Sequence, residues 1–491
     1  MKKQALVSLL LLTASLFAAC ADSGGDAAVT TAAADPAADT VTEAVTEETR
    51  ITLDMTGIDY GGDEFHIVNY DNITDNQWVG IPDDIFSEEE TGDLLGDAVY
   101  QRNRTVEEAL NIKITSELMA AAVISENVRK SVMAGNTDYD AVFTSMIGLP
   151  NFINGGLVVD LYTLEGLDLS YPWWDQNAID LLTVSDRLFS VVSDITFMDK
   201  LACMTMFFNK EMAEQNNVGD LYALVESGAW TYEKMMDLSK GVTRDVNGDG
   251  AYDKEDSYGL SSQNDIIYVM LHSGGVRICE NTRDSVEFVL GEDKAISILQ
   301  TTLELMADKQ RFFNRQAFNL TVAEGINMMI DNRTLFLARP MQTVMMLRDM
   351  KADFGIIPYP KFFEDQDSYY TAVNPYAATT MVIPNVMEDP AKTVNVLQML
   401  ACESYYEVID PFYNLVLDTK LVRDDQAAKM LDIIFDSRMY DIGMICNFGG
   451  IFNPILIGSA GKAVTSLVES NESRVTKDID KFMESISDYD A

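Results

Sequence analysis

The order of strand-like and helix-like segments early in the chain most limits the folds that this sequence can adopt. Residues 64–70 (EFHIVNY), 112–117 (IKITSE) and 139–144 have the β-branched, aromatic or alternating patterns of strands. Residues 97–110 and 125–134, which lie between them, have the apolar spacing of helices. Because strands joined through helices pair in parallel and are covered by those helices, the pattern predicts an α/β lobe with a largely parallel sheet.

The rest of the chain continues to mix short strands with helices, and its last third is predicted to be mostly helical. A length of 491 residues allows two or more domains or one large domain. Further strands are predicted at 188–192, 204–208, 334–338, 354–357 and 379–383. Helices are predicted to begin at Asn209, Thr231 and Asp389, and to cover 292–308 and 321–330.

The segment MKKQALVSLLLLTASLFAAC (residues 1–20) has the layout of a bacterial export signal. Lys2 and Lys3 precede an apolar run from Ala5 to Phe17, which is shorter than the roughly 20 residues that span a bilayer. Two small residues and Cys20 follow, and this resembles the bacterial lipobox, in which the cysteine receives a lipid; Phe17 stands where the motif prefers Leu. The alternative is ordinary secretion with a chance cysteine. We predict an extracytoplasmic protein that is lipid-anchored at Cys20.

A polar segment follows the signal. Residues 21–50 consist largely of Ala, Thr, Asp and Glu, which cannot bury enough apolar surface to fold. We therefore predict a disordered acidic tether over 21–58. No later apolar run is long and uncharged enough to span a membrane. The protein is therefore predicted to attach to the membrane through the lipid alone.

The composition argues against several classes of function. With 78 acidic and 35 basic residues the net charge is −43, which argues against nucleic acid as a partner. The two histidines, His66 and His272, lie far apart, which argues against zinc hydrolases and most Ser–His mechanisms. Buried free thiols are favoured over disulfides, which the sequence alone cannot pair, for the remaining cysteines: Cys203, Cys279, Cys402 and Cys446.

One short motif has the spacing of a calcium loop. Residues 245–256 read DVNGDGAYDKED, in which oxygen donors alternate and Gly250 allows the sharp turn. The predicted calcium ligands are the side chains of Asp245, Asn247, Asp249, Asp253 and Asp256 and the carbonyl of Ala251. A structural clip on a surface insertion is the favoured role, and an acidic solvated turn without metal is the alternative. Asp256 stands where the motif usually has Glu, so a modest affinity is expected.

The order of several segments resembles that of the sugar-type extracellular solute-binding proteins of ABC transporters, the group that contains the maltose-binding proteins. The likeness covers about residues 62–440, and no single motif is diagnostic. The segments are DYDAVFTS (138–145), GGLVVDL (155–161), RLFSVVSDI (187–195), MFFNKEM (206–212), GAWTYEKM (228–235), DSYGLSS (256–262), FGIIPYPK (354–361) and AATTMVIPN (377–385).

The resemblance implies an α/β, two-lobe periplasmic-binding-protein-like fold with a ligand cleft and a hinge. One lobe would contain residues 60–195 and 370–412, and the other would contain 196–369 and 413–491. Such a protein is a monomer without catalytic residues. It captures a carbohydrate, with an oligosaccharide favoured, by closing its lobes, and it delivers the ligand to the permease subunits of an ABC importer.

Candidate ligand residues follow from their positions relative to strand ends, where open α/β sheets bind ligands, and to the implied hinge crossings. For each, a solvated or structural side chain is the alternative. For Trp173 and Trp174, stacking on a sugar and covering a core edge are equally favoured interpretations. Trp230 is predicted to pack at a helix start. The candidates are Tyr70 (with Asn69), Trp78, Ser145, Met146, Trp173, Trp174, Asp194, Asp199, Arg339, Asn374, Tyr376, Asn447 and Phe448.

Two other functions compete with solute binding. A secreted glycan-active hydrolase would use two carboxylates. Because the chain has 78 acidic residues, a pair of acids in the sequence is not evidence for a hydrolase. A calcium-dependent adhesion module would be supported by a second calcium loop, but the sequence contains a single such motif, at 245–256. Neither the identity of the sugar nor the cognate permease can be read from the sequence.

Overall fold

The residues that can be described cover most of the chain and form thirteen strands. In this computed structural model they are residues 50–71, 84–282, 284–417, 425–451, 463–487 and 489. Within these ranges the strands are β1 (Asp63–Tyr70), β2 (Ile112–Met119), β3 (Ala141–Ser145), β4 (Met204–Asn209), β5 (Tyr258–Ser262), β6 (Cys279–Asn281), β7 (Val286–Phe288), β8 (Phe313–Asn314), β9 (Thr334–Pro340), β10 (Phe354–Ile357), β11 (Thr371–Ala372), β12 (Thr379–Val382) and β13 (Arg438–Met439).

The same described ranges contain seventeen α-helices, and these include the helices that the sequence predicts. They are α1 (Leu94–Leu110), α2 (Ala121–Met133), α3 (Leu149–Ile153), α4 (Gln176–Leu182), α5 (Met198–Leu201), α6 (Lys210–Gln215), α7 (Leu221–Glu226), α8 (Tyr232–Lys240), α9 (Ile266–Ser273), α10 (Asp293–Ala307), α11 (Val322–Ile330), α12 (Val344–Leu347), α13 (Pro390–Glu407), α14 (Ile409–Leu417), α15 (Asp425–Asp436), α16 (Ile442–Ile445) and α17 (Val464–Ser487). No helix in the described ranges is long and apolar enough to cross a bilayer.

The first sheet confirms the predicted β-α-β-α-β unit. Its strand order is β12-β3-β1-β2, and β1 pairs in parallel with both β2 and β3. The apolar side chains of β1 are buried because α1 and α2 cover the sheet, which is the arrangement that parallel strands require. β12 joins the edge antiparallel to β3, so a strand from far along the chain completes this sheet.

The strands of the second sheet come after β3 and before β12 in the sequence, so they interrupt the first sheet. The order of the second sheet is β10-β4-β9-β5-β8, with β4 antiparallel to both β10 and β9. Predicted helix starts are confirmed here, since Asn209 and Thr231 cap α6 and α8 with their side chains, and each accepts a backbone N–H from the first turn.

The chain passes between the two sheets along three connections. The first joins β3 to β4, the second joins β10 to β12, and the third follows α14. Helix α14 packs on α1 beside the first sheet, whereas α15 packs on β10 of the second. The lobe boundary predicted between residues 412 and 413 falls inside α14.

Two sequence-based expectations differ from the structure. Residues 188–192 form single bridges rather than a strand, because the backbone groups of this segment are divided among partners near Leu161, Trp174 and β12. Arg50 and Ile51, predicted as part of the tether, lie against α13. Arg50 forms an ion pair with Glu403 at 2.6 Å, and the hydroxyl oxygen of Tyr406 accepts the N–H of Ile51 at 2.8 Å.

The predicted free thiols are confirmed for the cysteines within the described ranges. Cys203, Cys279 and Cys402 are buried, Cys446 is half-buried, and none forms a disulfide. Burial raises the pKa of Cys402 to about 11 and raises the pKa of the other three thiols further, so all four are held as neutral thiols.

Candidate ligand site

A short backbone segment brings the ends of several strands together. The carbonyl of Ala202 accepts the N–H of Asn374 at 3.0 Å, and the carbonyl of Cys203 accepts the N–H of Met341 at 2.8 Å. The N–H of Met146, just past β3, bonds to the carbonyl of Ala378 at 3.0 Å. The end of β3, the second connection and the end of β9 therefore meet at the first connection, and this places five predicted residues in one region: Ser145, Met146, Arg339, Asn374 and Tyr376.

A row of polar side chains crosses the edge of the first sheet at this region. Thr379 in β12 stands opposite Ser145 at the end of β3, and the Val191–Met381 bridge sets Ser193 level with Thr379 on the other side of β12. Trp174 pairs in turn with Ser193. Because directly opposed residues of antiparallel strands point to the same face, these four side chains share one face, and we call them the polar row.

The polar row has unused hydrogen-bonding capacity. Its four side chains are at most 2% exposed, yet the hydroxyls of Ser145, Ser193 and Thr379 and the indole N–H of Trp174 have no hydrogen-bond partner in the described structure. Buried polar groups in proteins are normally satisfied, and an unsatisfied one calls for an explanation such as a ligand or water. The row combines four polar atoms of this kind at the carboxyl end of β3, where ligands of α/β sheets bind.

The second sheet presents charged and aromatic groups to the same region. Arg339, near the end of β9, is 2% exposed and interacts electrostatically with Asp265, Tyr268 and Tyr359. Burial lowers the pKa of Arg339, and the nearby charge of Asp265 partly offsets this shift. Burial raises the pKa of Asp265, and the nearby charge of Arg339 partly offsets that shift. Gln342 follows β9, is 1% exposed, and has no side-chain partner among the described residues. These groups include the aromatic, guanidinium, carboxylate and amide chemistry that the sequence predicts for a sugar site.

Two predicted ligand residues belong to a buried chain of charges. Asp199 is fully buried and forms ion pairs with Arg438 at 3.2 Å and Lys200 at 3.7 Å, and Lys200 pairs with Asp194 at 2.6 Å. Burial lowers the pKa of Lys200, but the carboxylates of Asp194 and Asp199 outweigh it and raise that pKa overall. Burial also raises the pKa of Asp194, against the opposing effect of Lys200. Both carboxyls are therefore directed at neighbouring cations.

The two adjacent tryptophans have different surroundings. The Trp173 ring stacks on Tyr171 with centroids 4.4 Å apart and also contacts Tyr405, so it packs within the core. Trp174 follows at the end of a turn and pairs with Ser193, which makes it a member of the polar row. Both rings are 1% exposed. The structure therefore gives Trp174, rather than Trp173, the position next to other candidate ligand groups.

The remaining predicted ligand residues lie at different distances from the polar row. Tyr70 ends β1, and the parallel register sets it level with Thr144 beside Ser145. Tyr376 is 44% exposed and lies close enough to Tyr268 to affect its pKa. Asn447 and Phe448 lie against α17 instead, where Phe448 lines a separate cavity of about 430 Å³ with Cys446 and Phe482. Trp78 and Cys20 fall outside the described residues.

The predicted calcium loop forms a series of tight turns between α8 and β5. Asp245 accepts the N–H groups of Gly248 at 2.6 Å and Gly250 at 2.8 Å, and buried Asp256 accepts the N–H of Val246 at 2.9 Å. The donor set consists of oxygen atoms, which suits calcium. Among the described residues, however, no group of three or more His, Cys, Asp or Glu side chains is placed to hold a metal ion. The calcium site stays a prediction.

The fold of this chain is similar to that of several solved structures. One solved structure is a cyclo/maltodextrin-binding protein complexed with maltotetraose, at 12% identity and a TM-score of 0.55, covering 87% of this chain and 97% of that chain. Another is a cyclic alpha-maltosyl-1,6-maltose binding protein from Arthrobacter globiformis, at 11% identity and a TM-score of 0.57, covering 85% and 99%. The chain has the two-lobe fold of the maltodextrin-type solute-binding proteins.

A third structure with this fold is an ABC substrate-binding protein from Listeria monocytogenes in complex with cycloalternan, at 12% identity and a TM-score of 0.54, covering 85% of this chain and 98% of that chain. No family model matches the sequence, and no curated protein matches it. The likeness therefore lies in the fold, and it confirms the fold class that the order of the sequence segments predicts.

Three residues of the site were missed by the sequence reasoning: Ser193, Thr379 and Gln342. Each is a common polar residue inside or beside an apolar segment, and nothing in its immediate neighbours marks it. A usable signal was the pair Thr379-Thr380 at the start of a predicted buried strand, since one of two consecutive polar residues must face the buried side.

Proposed function

We propose that this protein is the extracytoplasmic substrate-binding component of an ABC importer, anchored through Cys20, which captures a carbohydrate between its two lobes and releases it unchanged to a permease. The polar row carries the proposal. Sugar hydroxyls both donate and accept hydrogen bonds, so they complement the serine and threonine hydroxyls and the indole N–H of the row.

The solved proteins of this fold give independent support. One is complexed with maltotetraose and another with cycloalternan, and both are described as binding proteins. The row is enclosed in the present arrangement. Ligand entry therefore requires the lobes to separate, and a ligand that contacts both sheets then favours the closed arrangement through its differential affinity.

A thermal-shift screen against mono- and oligosaccharides, including maltotetraose and cycloalternan, tests the proposal. A ligand at about 100 times its Kd stabilises the folded state by about 2.7 kcal/mol, which raises the melting temperature by a few degrees. Chromatography of the recovered sugar shows whether it stays intact. Cleaved sugar would favour the hydrolase, and a panel without any stabilising sugar would contradict carbohydrate binding.

Removing polar atoms from the row is expected to weaken sugar binding without weakening the fold. Ser145→Ala, Ser193→Ala, Thr379→Val and Trp174→Phe should each cost about 0.5–1.5 kcal/mol of binding free energy, or about 2- to 10-fold in Kd. Because these polar atoms have no partner in the described structure, their removal leaves no protein group unsatisfied. Titration calorimetry measures the Kd, and thermal unfolding measures the stability.

The controls for these variants are neighbouring residues outside the polar row. Ser190 is a buried serine with an unpartnered hydroxyl among the described residues, three positions before Ser193, and Trp173 neighbours Trp174. Ser190→Ala and Trp173→Phe should leave the Kd unchanged. Equal losses of affinity in the variants and their controls, or losses of stability in the three hydroxyl variants, would remove the row from the binding site.

We further propose that the loop 245–256 binds calcium as a structural clip. Its support is the alternation of oxygen donors and the set of turns that hold Asp245 and Asp256 in place. The loop leads directly into β5, whose end lies near Asp265 of the candidate ligand site. A metal here would fix the loop against the second sheet without contacting the sugar.

Calcium is expected to raise the melting temperature, and chelator is expected to lower it. Asp245→Ala should abolish this dependence, because the calcium ion loses a coordinating carboxylate. The sugar Kd should stay within about twofold, because Asp245 is not a member of the polar row. Glu255→Ala is the matched control, since the exposed Glu255 side chain lies in the loop at a position that supplies no ligand. A wild-type protein that melts identically with calcium and with chelator would contradict the clip.

A further inference from the structure

Buried charges that adjoin the polar row form a continuous chain of alternating sign. Arg438 in β13 pairs with Asp175 at 2.6 Å and with Asp199 at 3.2 Å. Lys200 then joins Asp199 at 3.7 Å to Asp194 at 2.6 Å. We call these five residues the ion chain. Its side chains are at most 12% exposed, so its charges interact in a largely water-free environment.

The ion chain touches each connection between the two sheets that lies in the described structure. Asp194, Asp199 and Lys200 belong to the first connection, between β3 and β4. Arg438 lies in β13, which pairs in parallel with β11 of the second connection through the pair Thr371–Arg438. The segment that holds Arg438 packs with the second sheet through α15. A movement of one sheet relative to the other therefore acts directly on these ion pairs.

Both ends of the ion chain adjoin the polar row. Asp175 directly follows Trp174, and Asp194 directly follows Ser193. Backbone hydrogen bonds tie these two segments together: the N–H of Asp175 reaches the carbonyl of Val192 at 2.9 Å, and the N–H of Asp194 reaches the carbonyl of Trp173 at 3.0 Å. Tyr440 adds a hydroxyl donor to Asp175 at 2.7 Å. Two members of the row are thus held by carboxylates that the ion chain fixes.

From this juxtaposition we infer that Arg438 is a positioning residue for ligand capture: by holding Asp175 and Asp199 together, it couples the separation of the two sheets to the alignment of Trp174 and Ser193. The inference rests on the proposed function. A guanidinium suits this task because its two terminal nitrogens are held at a fixed separation in one plane: one lies 2.6 Å from Asp175, and the other forms the ion pair with Asp199 at 3.2 Å. The chain contains three carboxylates and two cations, a net of −3 + 2 = −1, so each cation is shared.

The test separates positioning from plain stabilisation by comparing three variants. Arg438→Met leaves two buried carboxylates without a shared cation and is expected to unfold at a lower temperature. Arg438→Lys keeps the charge without the fork. The double variant Asp175→Asn/Arg438→Gln removes one charge of each sign, so the chain keeps its net of −1 and most of the lost stability should return.

Two measurements are made on each variant. The first is the Kd for the best sugar of the thermal-shift screen. The second is the distance distribution between spin labels in the ligand-free protein, with the labels at exposed Glu108 in α1 and exposed Glu304 in α10, in a Cys446→Ser background. We expect all three variants to bind at least 10-fold more weakly and to show a shifted or broadened distribution, including the double variant whose stability has recovered.

Recovery of both the Kd and the wild-type distance distribution together with the melting temperature in the double variant would show that Arg438 is merely structural and would overturn the inference. A failure of the proposed function looks different, because no sugar would then bind the wild-type protein. The ligand-free distances would still decide whether the ion chain controls the separation of the sheets. An unchanged distribution in Arg438→Lys and in the double variant would reject that control.

Discussion

Asp441→Ala is expected to lower the free energy of unfolding by about 3–5 kcal/mol, because one buried carboxylate serves donors from three separate elements. Its oxygens accept the backbone N–H of Ile278 at 2.6 Å and of Gly443 at 2.8 Å, and the Nε2 of His272 lies 3.1 Å away. The alanine variant leaves these donors buried without a partner. Chemical denaturation monitored by circular dichroism measures the loss.

The control for Asp441 is a carboxylate that only caps a helix. Asp389 accepts the N–H of Lys392 at 3.1 Å at the start of α13 and is half-buried. Loss of such a cap costs about 1 kcal/mol, so Asp389→Ala should be several times milder than Asp441→Ala. Equal effects of the two substitutions would show that the contacts of Asp441 with β6 and α9 contribute little.

Trp230→Ala is expected to cost about 3–5 kcal/mol of stability, the range found when large buried aromatic side chains are truncated. Trp230 is fully buried, its ring lies 5.4 Å from that of Phe336, and its indole N–H donates to the carbonyl of Pro358 at 3.0 Å. The residue therefore fastens the start of α8 to β9 and to the segment after β10. Thermal or chemical unfolding measures the effect.

Trp230→Phe separates the two contributions, because it keeps most of the ring packing and loses the hydrogen bond to Pro358. We expect the phenylalanine variant to lose a smaller part of the stability than the alanine variant. Both should bind sugar with an unchanged Kd while they remain folded, since Trp230 packs within the core of the second sheet. A weaker Kd with normal stability would instead make Trp230 a ligand residue.

Local patterns predicted the elements of this fold well. The strand at 64–70, the helix starts at Asn209 and Thr231 and the strand at 354–357 are all present. Each depends on side-chain periodicity or on a cap within one or two turns, which neighbouring residues determine. The segment 188–192 was predicted as a strand from the same kind of pattern, but its hydrogen bonds go to three different partners, and its own residues cannot reveal that division.

The candidate site was only partly predictable for a related reason. The sequence makes Ser145 a candidate because it follows a recognisable strand, and Trp174 a candidate because tryptophan is uncommon and chemically suited to sugar. Ser193 and Thr379 became visible only through their register with these two residues. Asp194 and Asp199 were predicted as ligand residues, whereas their partners Lys200 and Arg438 make them members of the ion chain.

The sequence by itself determined the α/β class, the order of its elements and the caps of its helices, because these depend on periodicities of two and about 3.6 residues along a continuous stretch of chain. Only the tertiary structure decided which polar groups share a face and which charges pair. Asp175 and Arg438 lie on opposite sides of the second sheet in the sequence, yet their charges stand 2.6 Å apart. That proximity depends on cross-strand register and on the return of the chain through its connections, and neither leaves a mark on neighbouring residues.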